Sequence, residues 1–134
     1  MKSVLLALPL VLAAAKGQAA ETLLCELTQF GSGNWIPEIL FVGYEEGADT
    51  AVVSDPVILT FNGGPTQAQI VADNARRITF AWDLRANDGR GNYVGRFIYR
   101  ATLQKGSLQM TISATPAGYA NRFTGRGTCR REAR

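Results

Sequence analysis

The chain of 134 residues contains no histidine. That removes the usual general base near neutral pH, the Ser-His-acid triad and the commonest transition-metal ligand. Lysine is scarce. Beyond Lys2 and Lys16 only Lys105 occurs, and its neighbour Ser107 lies on an expected hairpin turn with nothing to bury and depress the amine. Cysteine is limited to Cys25 and Cys129. After the first 20 residues no apolar run is long enough to cross a bilayer. The same part of the chain shows no convincing helical periodicity, internal repeat or low-complexity tract. Three Gly-x-Gly matches begin at Gly31, Gly89 and Gly125, but none stands between a strand and a helix, so none reads as a phosphate loop. A carboxylate-only mechanism is chemically available. The acids, however, sit mostly in turns, and Glu45, Glu46 and Asp49 lack the spacing of a calcium loop. The expectation is a protein that is not an enzyme, with no catalytic residue, no cofactor and no metal.

The N-terminus reads as a secretory signal. Lys2 supplies the positive start, residues 4–15 the apolar run, and Gly17-Gln18-Ala19 the small residues before a cleavage site. Cleavage is expected after Ala19, with Ala20 as second choice. Residues 1–19 are then the signal and residues 20–134 one domain of about 115 residues, long enough to bury a core. The expected location is the periplasm or the medium, and the chain is expected to be a monomer that does not span the membrane.

Charge is unevenly laid out. The whole chain carries +3, which falls to +1 once Lys2 and Lys16 leave. Between Lys16 and Arg76 there is no basic residue, while Glu21, Glu26, Glu38, Glu45, Glu46, Asp49, Asp55 and Asp73 all lie there. From Arg76 onward the basic residues face only Asp83, Asp88 and Glu132. Two halves of this kind support each other in one fold and leave surface fields of opposite sign.

What remains is dominated by period-two alternation. Residues 93–114 read as a hairpin around a two-residue turn at Lys105-Gly106, with Leu103 facing Leu108, Ala101 facing Met110, Tyr99 facing Ile112 and Phe97 facing Ala114. Residues 76–85 alternate Ile78, Phe80, Trp82 and Leu84 with polar partners, and a pairing of Leu84 with Tyr93 would set Gly95 opposite Trp82. Further strands are expected over 23–30, 36–44, 50–53, 57–61, 67–72 and 121–130. Trp35 is read as a lid on the core, the other reading being an exposed contact. Gly125 and Gly127 share an inner face with Cys129, where space is either left for a ligand or filled by Trp82 and Phe97.

Two cysteines in an exported chain are expected to pair. A Cys25–Cys129 bridge would hold the first and last strands together, as closure of an up-and-down barrel requires. The expected fold is all-β: a single-domain antiparallel meander closed into a barrel of eight or nine strands, with a β-sandwich as the alternative. If the last strand neighbours the hairpin, Arg96, Arg100, Arg122, Arg126 and Arg130 share an outer face suited to gripping carboxylate or phosphate.

The expected function is therefore an exported binding or interaction protein of the bacterial cell envelope. Its partner is an anionic envelope component or a protein, not nucleic acid. The alternative is a periplasmic inhibitor that presents Glu45, Glu46 and Asp49 to a basic hydrolase. Export, size, strand richness and a cysteine near each end make the chain resemble small exported bacterial barrels, among them the periplasmic inhibitors of lysozyme. No motif of that group is matched residue by residue, so the resemblance implies no functional residue.

Overall fold

A computed structural model describes residues 20–87 and 93–132. The expected signal segment and the Gly89-Arg90-Gly91 stretch lie outside those residues. Eight strands follow one another in order: β1 (Ala20–Phe30), β2 (Ile39–Glu45), β3 (Thr50–Ser54), β4 (Thr66–Asp73), β5 (Arg77–Asn87), β6 (Tyr93–Gln104), β7 (Gln109–Pro116) and β8 (Phe123–Arg131). Each pairs antiparallel with the next, and β8 pairs with β1, so the sheet closes into a barrel. Closure gives every strand a neighbour on both sides.

Alternation decides what enters the barrel. Every second residue is buried: Leu23, Cys25 and Leu27 on β1; Ile78, Phe80, Trp82 and Leu84 on β5; Phe97, Tyr99, Ala101 and Leu103 on β6. Trp82 and Phe97 are both in this core, so the interior is filled by side chains. Gly125 and Gly127 serve a different purpose from making room. A Cβ on Gly125 would stand 2.6 Å from the Thr28 carbonyl oxygen and 2.9 Å from the Ile36 side chain, and one on Gly127 would overlap the Glu26 carbonyl. The two glycines let β8 lie close against β1. At the same seam Cys25 and Cys129 stand directly opposite each other, their Cα atoms 3.9 Å apart, and form the disulfide. The bridge closes a loop with a sequence separation of 104. In the chain-entropy account a loop of this length contributes about 4–5 kcal/mol.

Three expectations about local structure need correction. Residues 57–61 are not a strand. They belong to the short helix α1 (Pro56–Asn62), capped by Asp55, whose Oδ1 accepts the Ile58 N–H at 2.8 Å. Pro56 supplies the first helical φ, and Gly63 ends the helix at φ 78, with its N–H bonded to the Leu59 carbonyl. The β6–β7 hairpin is shifted by two residues: Leu103 faces Met110, Ala101 faces Ile112, Tyr99 faces Ala114 and Phe97 faces Pro116. Its loop spans four residues, because Leu108 takes a left-handed φ of 61 and donates to the Gln104 carbonyl at 2.8 Å. The Leu108 carbonyl in turn accepts from Cys129 of β8 at 2.8 Å. Finally, Leu84 faces Phe97 rather than Tyr93, and Trp82 faces Tyr99, with Gly95 opposite Ala86.

The rims differ. The β1–β2 and β3–β4 connections, with α1, cover one mouth. There Trp35 stacks on Phe97 at 3.9 Å and on Phe61 at 5.7 Å between ring centroids. The buried Tyr99 hydroxyl donates to the Trp35 carbonyl at 2.7 Å, so Trp35 is a lid tied to the core. Gln29 pins the same connection: its side-chain nitrogen donates to the Gly33 carbonyl at 2.8 Å and its oxygen accepts from Ile36 N–H at 3.0 Å. That bond takes the Ile36 N–H out of the ladder, and β2 starts at Ile39 rather than at Ile36. The other mouth carries the β2–β3 turn and is closed by Tyr44 against Phe80, edge to face at 5.4 Å.

Candidate functional site

Because strand neighbours follow sequence order, the outer faces of β6, β7, β8 and β1 form one continuous surface. Its residues lie in cross-strand rows. One row runs Arg100, Ser113, Thr124, Phe30. The next runs Thr102, Thr111, Arg126, Thr28, and a third Gln109, Thr128, Glu26. Phe30 is 50% exposed, and the Arg126 guanidinium lies over its ring at 5.4 Å from the centroid. Such a contact orients the guanidinium without neutralising it. Two shallow hollows flank Phe30. One, of about 340 Å³, has Arg100 and Arg122 on its walls with Ser113 and Thr124. The other, of about 500 Å³, is walled by Arg126, Gln104, Gln109, Thr28 and Thr128.

Of the five arginines expected on an outer face, Arg100, Arg122 and Arg126 are brought together around Phe30. None of the three has a carboxylate within salt-bridge distance among the described residues. Arg96 stands further along β6, beside Arg85 on the neighbouring strand, and pairs with Asp83 at 3.5 Å. Arg130 pairs with Glu132 at 2.9 Å and with Glu26 at 3.6 Å. Lys105 is held by Asp73 at 2.6 Å, while the Ser107 hydroxyl accepts the Gln109 N–H.

The acidic residues lie elsewhere. Glu45 ends β2, and Glu46 and Asp49 belong to the exposed β2–β3 turn, at the mouth away from α1. The turn's backbone is fixed by Ala48 N–H to the Glu45 carbonyl and Ile70 N–H to the Asp49 carbonyl. None of the three carboxylates has a cationic partner among the described residues. Next to this turn the Tyr44 phenol is pushed up, first by burial and then by the charge of Glu21.

Two features had no counterpart in the expectations. Asp55 is only 2% exposed, its Oδ2 has no hydrogen-bond partner, and burial raises its pKa against the lowering effect of the Ile58 and Val57 N–H groups. Burial, and after it the nearby Asp55 carboxylate, push the Tyr99 phenol far up. The second is a groove of about 1000 Å³ beside the β1–β2 connection, bordered by Gln29, Asn34, Glu38, Ile39 and Val57. It continues into an apolar notch of about 540 Å³ between Trp35, Val57 and Phe61. Among the described residues no group of three or more Cys, Asp or Glu is placed to hold a metal ion. The alternating Thr28, Thr111, Thr124 and Thr128 were visible in the sequence as outward positions. Alternation already sets Thr124 and Thr128 on the face of Arg122 and Arg126; the register adds which residues of β1, β6 and β7 stand beside them. Comparison of the chain with protein-family models, with curated proteins and with solved structures finds no match to any of them.

Proposed function

We propose that this is an exported, non-enzymatic binding protein of the bacterial envelope, and that it takes an anionic component on the outer face around Phe30. The observation that carries the reading is the gathering of Arg100, Arg122 and Arg126 around one exposed ring without carboxylate partners among the described residues, while Lys105, Arg96 and Arg131 each have one and Arg130 has two; Arg76, Arg77 and Arg85 also lack one, on or beside β5. Unpartnered guanidiniums at fixed strand positions, Arg100 on β6 and Arg126 on β8, with Arg122 directly before β8, are ready to grip carboxylate, sulfate or phosphate in bidentate fashion. The non-enzymatic reading rests on the absence of histidine and on the commitment of both cysteines to the bridge. Export rests on the N-terminal segment, and the disulfide is compatible with it.

The test is binding of the disulfide-bonded protein to a set of polyanions at low and moderate salt. The double variant Arg100→Glu/Arg126→Glu is expected to weaken binding by about tenfold or more, and binding by the original protein should fall as salt rises. Unchanged affinity in the double variant would overturn the reading. A second reading, inhibition of a basic hydrolase, is favoured by the unpaired exposed acids of the β2–β3 turn. It requires that Glu45→Gln/Glu46→Gln/Asp49→Asn abolish inhibition of a lysozyme and leave polyanion binding unaltered.

A further inference from the structure

We infer that the ligand of the Phe30 face is an acidic polysaccharide; this rests on the anion-binding reading and narrows it to one ligand class. Three properties of the surface point the same way. The first is its hydrogen-bonding character. Between the arginines stand Thr28, Thr111, Ser113, Thr124 and Thr128, with Gln104 and Gln109 at the hairpin end. Each of these side chains both donates and accepts. A bare phosphate or carboxylate needs donors only. A surface that offers acceptors beside its donors matches a ligand that carries hydroxyl groups as well as charge.

The second property is shape. The face spans three inter-strand steps from β6 to β1, about 14 Å, and four residues from Arg100 to Gln104, about 13 Å. Arg100 and Arg126 are offset by two strands and one row, which places their Cα atoms about 12 Å apart. The charges are thus spread over more than one sugar ring, with hydroxyl groups between them and the amides of Gln104 and Gln109 to one side. The half-exposed Phe30 separates the two hollows and offers the carbon face of a ring an apolar contact.

The third property is what the surface cannot offer other macromolecules. An extended peptide is commonly bound by adding a strand to a free sheet edge, and across this face β6, β7, β8 and β1 are already paired with one another. An acidic protein partner would want a buried aliphatic or aromatic anchor pocket, and the rows between the arginines are hydroxyl-bearing instead. A membrane surface would want several projecting apolar side chains, and on these rows only Phe30 is one.

The experiment measures affinity of the disulfide-bonded protein for polygalacturonate oligomers and dextran sulfate as acidic glycans, neutral dextran, polyphosphate, and polyglutamate. At least one acidic glycan is expected to bind about tenfold more tightly, at equal charge, than polyphosphate and polyglutamate, and neutral dextran not to bind measurably. Thr111→Val/Thr128→Val keeps β-branched side chains at exposed positions and removes two hydroxyls. It is expected to weaken glycan binding by about three- to tenfold while polyphosphate binding stays within about twofold. Thr111→Ser/Thr128→Ser, which keeps the hydroxyls, should restore the affinity. Equal binding of polyphosphate or polyglutamate, or indifference to the valine variant, would overturn the glycan assignment and leave the anion-binding face standing. Failure of all four charged probes to bind, or indifference to Arg100→Glu/Arg126→Glu, would bring down both.

Discussion

Asp55 shows how one side chain can hold two opposed duties. Its Oδ1 caps α1, and its Oδ2 is buried without a partner, as is the Trp82 indole N–H. Burying an ionised carboxylate is costly, so burial raises the Asp55 pKa against the lowering pull of the Ile58 and Val57 N–H groups. A folded-state pKa above the unfolded one contributes stability that is fully present below the unfolded value and is lost as pH rises through the folded value. Asp55→Asn keeps the cap acceptor and removes the titration. Urea denaturation between about pH 3 and 8 should therefore show a flatter stability profile for Asp55→Asn than for the original chain, with the variant the more stable of the two at the upper end. Parallel profiles would mean that Asp55 is not the group responsible. Asp55→Ala, which also loses the cap, should cost about 1 kcal/mol at low pH relative to Asn. Nothing in the sequence around Asp55 marked it as buried: Asp-Pro reads equally well as a bend, and its burial comes from strands far away in the chain.

At the scale of elements, the inward residues of β1, β5, β6 and β8 were legible from alternation alone, and the cysteine pairing from there being two cysteines in a chain read as exported. The registers were not. A slip of two residues at the β6–β7 hairpin, or of four at β5–β6, keeps every side chain on its own face, so the hydrophobic pattern scores such registers alike. At the β6–β7 hairpin the observed register goes with Leu108, a non-glycine residue in a left-handed turn whose carbonyl is bonded by β8. No local rule would place it there. The helix was missed because seven residues hold too little periodicity to compete with a β-branched stretch, although Asp55-Pro56 and Gly63 are its start and stop signals. The Arg–Thr surface was half legible: its members could be assigned outward, but their company depended on the register. The seam glycines yield the sharpest element-scale prediction. Gly127→Ala pushes a methyl into the Glu26 carbonyl and should cost about 2 kcal/mol or more in urea denaturation. Gly106→Ala, at a position with open space around it, should stay within about 0.5 kcal/mol. Equal effects would mean that β8 can move away from β1 at little expense.

For the whole molecule, the split of charge along the chain becomes a split around the barrel. β1 to β4 carry the acidic half and β5 to β8 the basic half, and ion pairs form where the halves meet. Arg131 reaches Glu21 at 2.9 Å and Arg130 reaches Glu26 across the β8–β1 seam, while Lys105 reaches Asp73 near the β4–β5 boundary. Exposed pairs of this kind contribute little each, about 0.2–1 kcal/mol. Their larger effect is to spend the seam charges locally, while the arginines of the Phe30 flank, like Arg76, Arg77 and Arg85 on or beside β5, have no carboxylate partner among the described residues. The same seam has a topological side. The Glu132 N–H bonds the Thr22 carbonyl at 2.8 Å, so the barrel's two ends run side by side at one rim. Strand order is then circular, and the position of the opening is incidental to the architecture. A permuted chain that joins Glu132 to Ala20 through a short linker, begins at Ala48 and ends at Gly47 should form the same barrel with the Cys25–Cys129 bridge. Its expected loss of about 1 kcal/mol would read as a Tm lower by about 4 °C, and a permutant that fails to fold would show that β2 and β3 must be joined by their turn. Beginning at Ala48 would move β1 and β2 behind β8, and the bridge that now ties the two ends of the barrel would become an internal staple between consecutive strands.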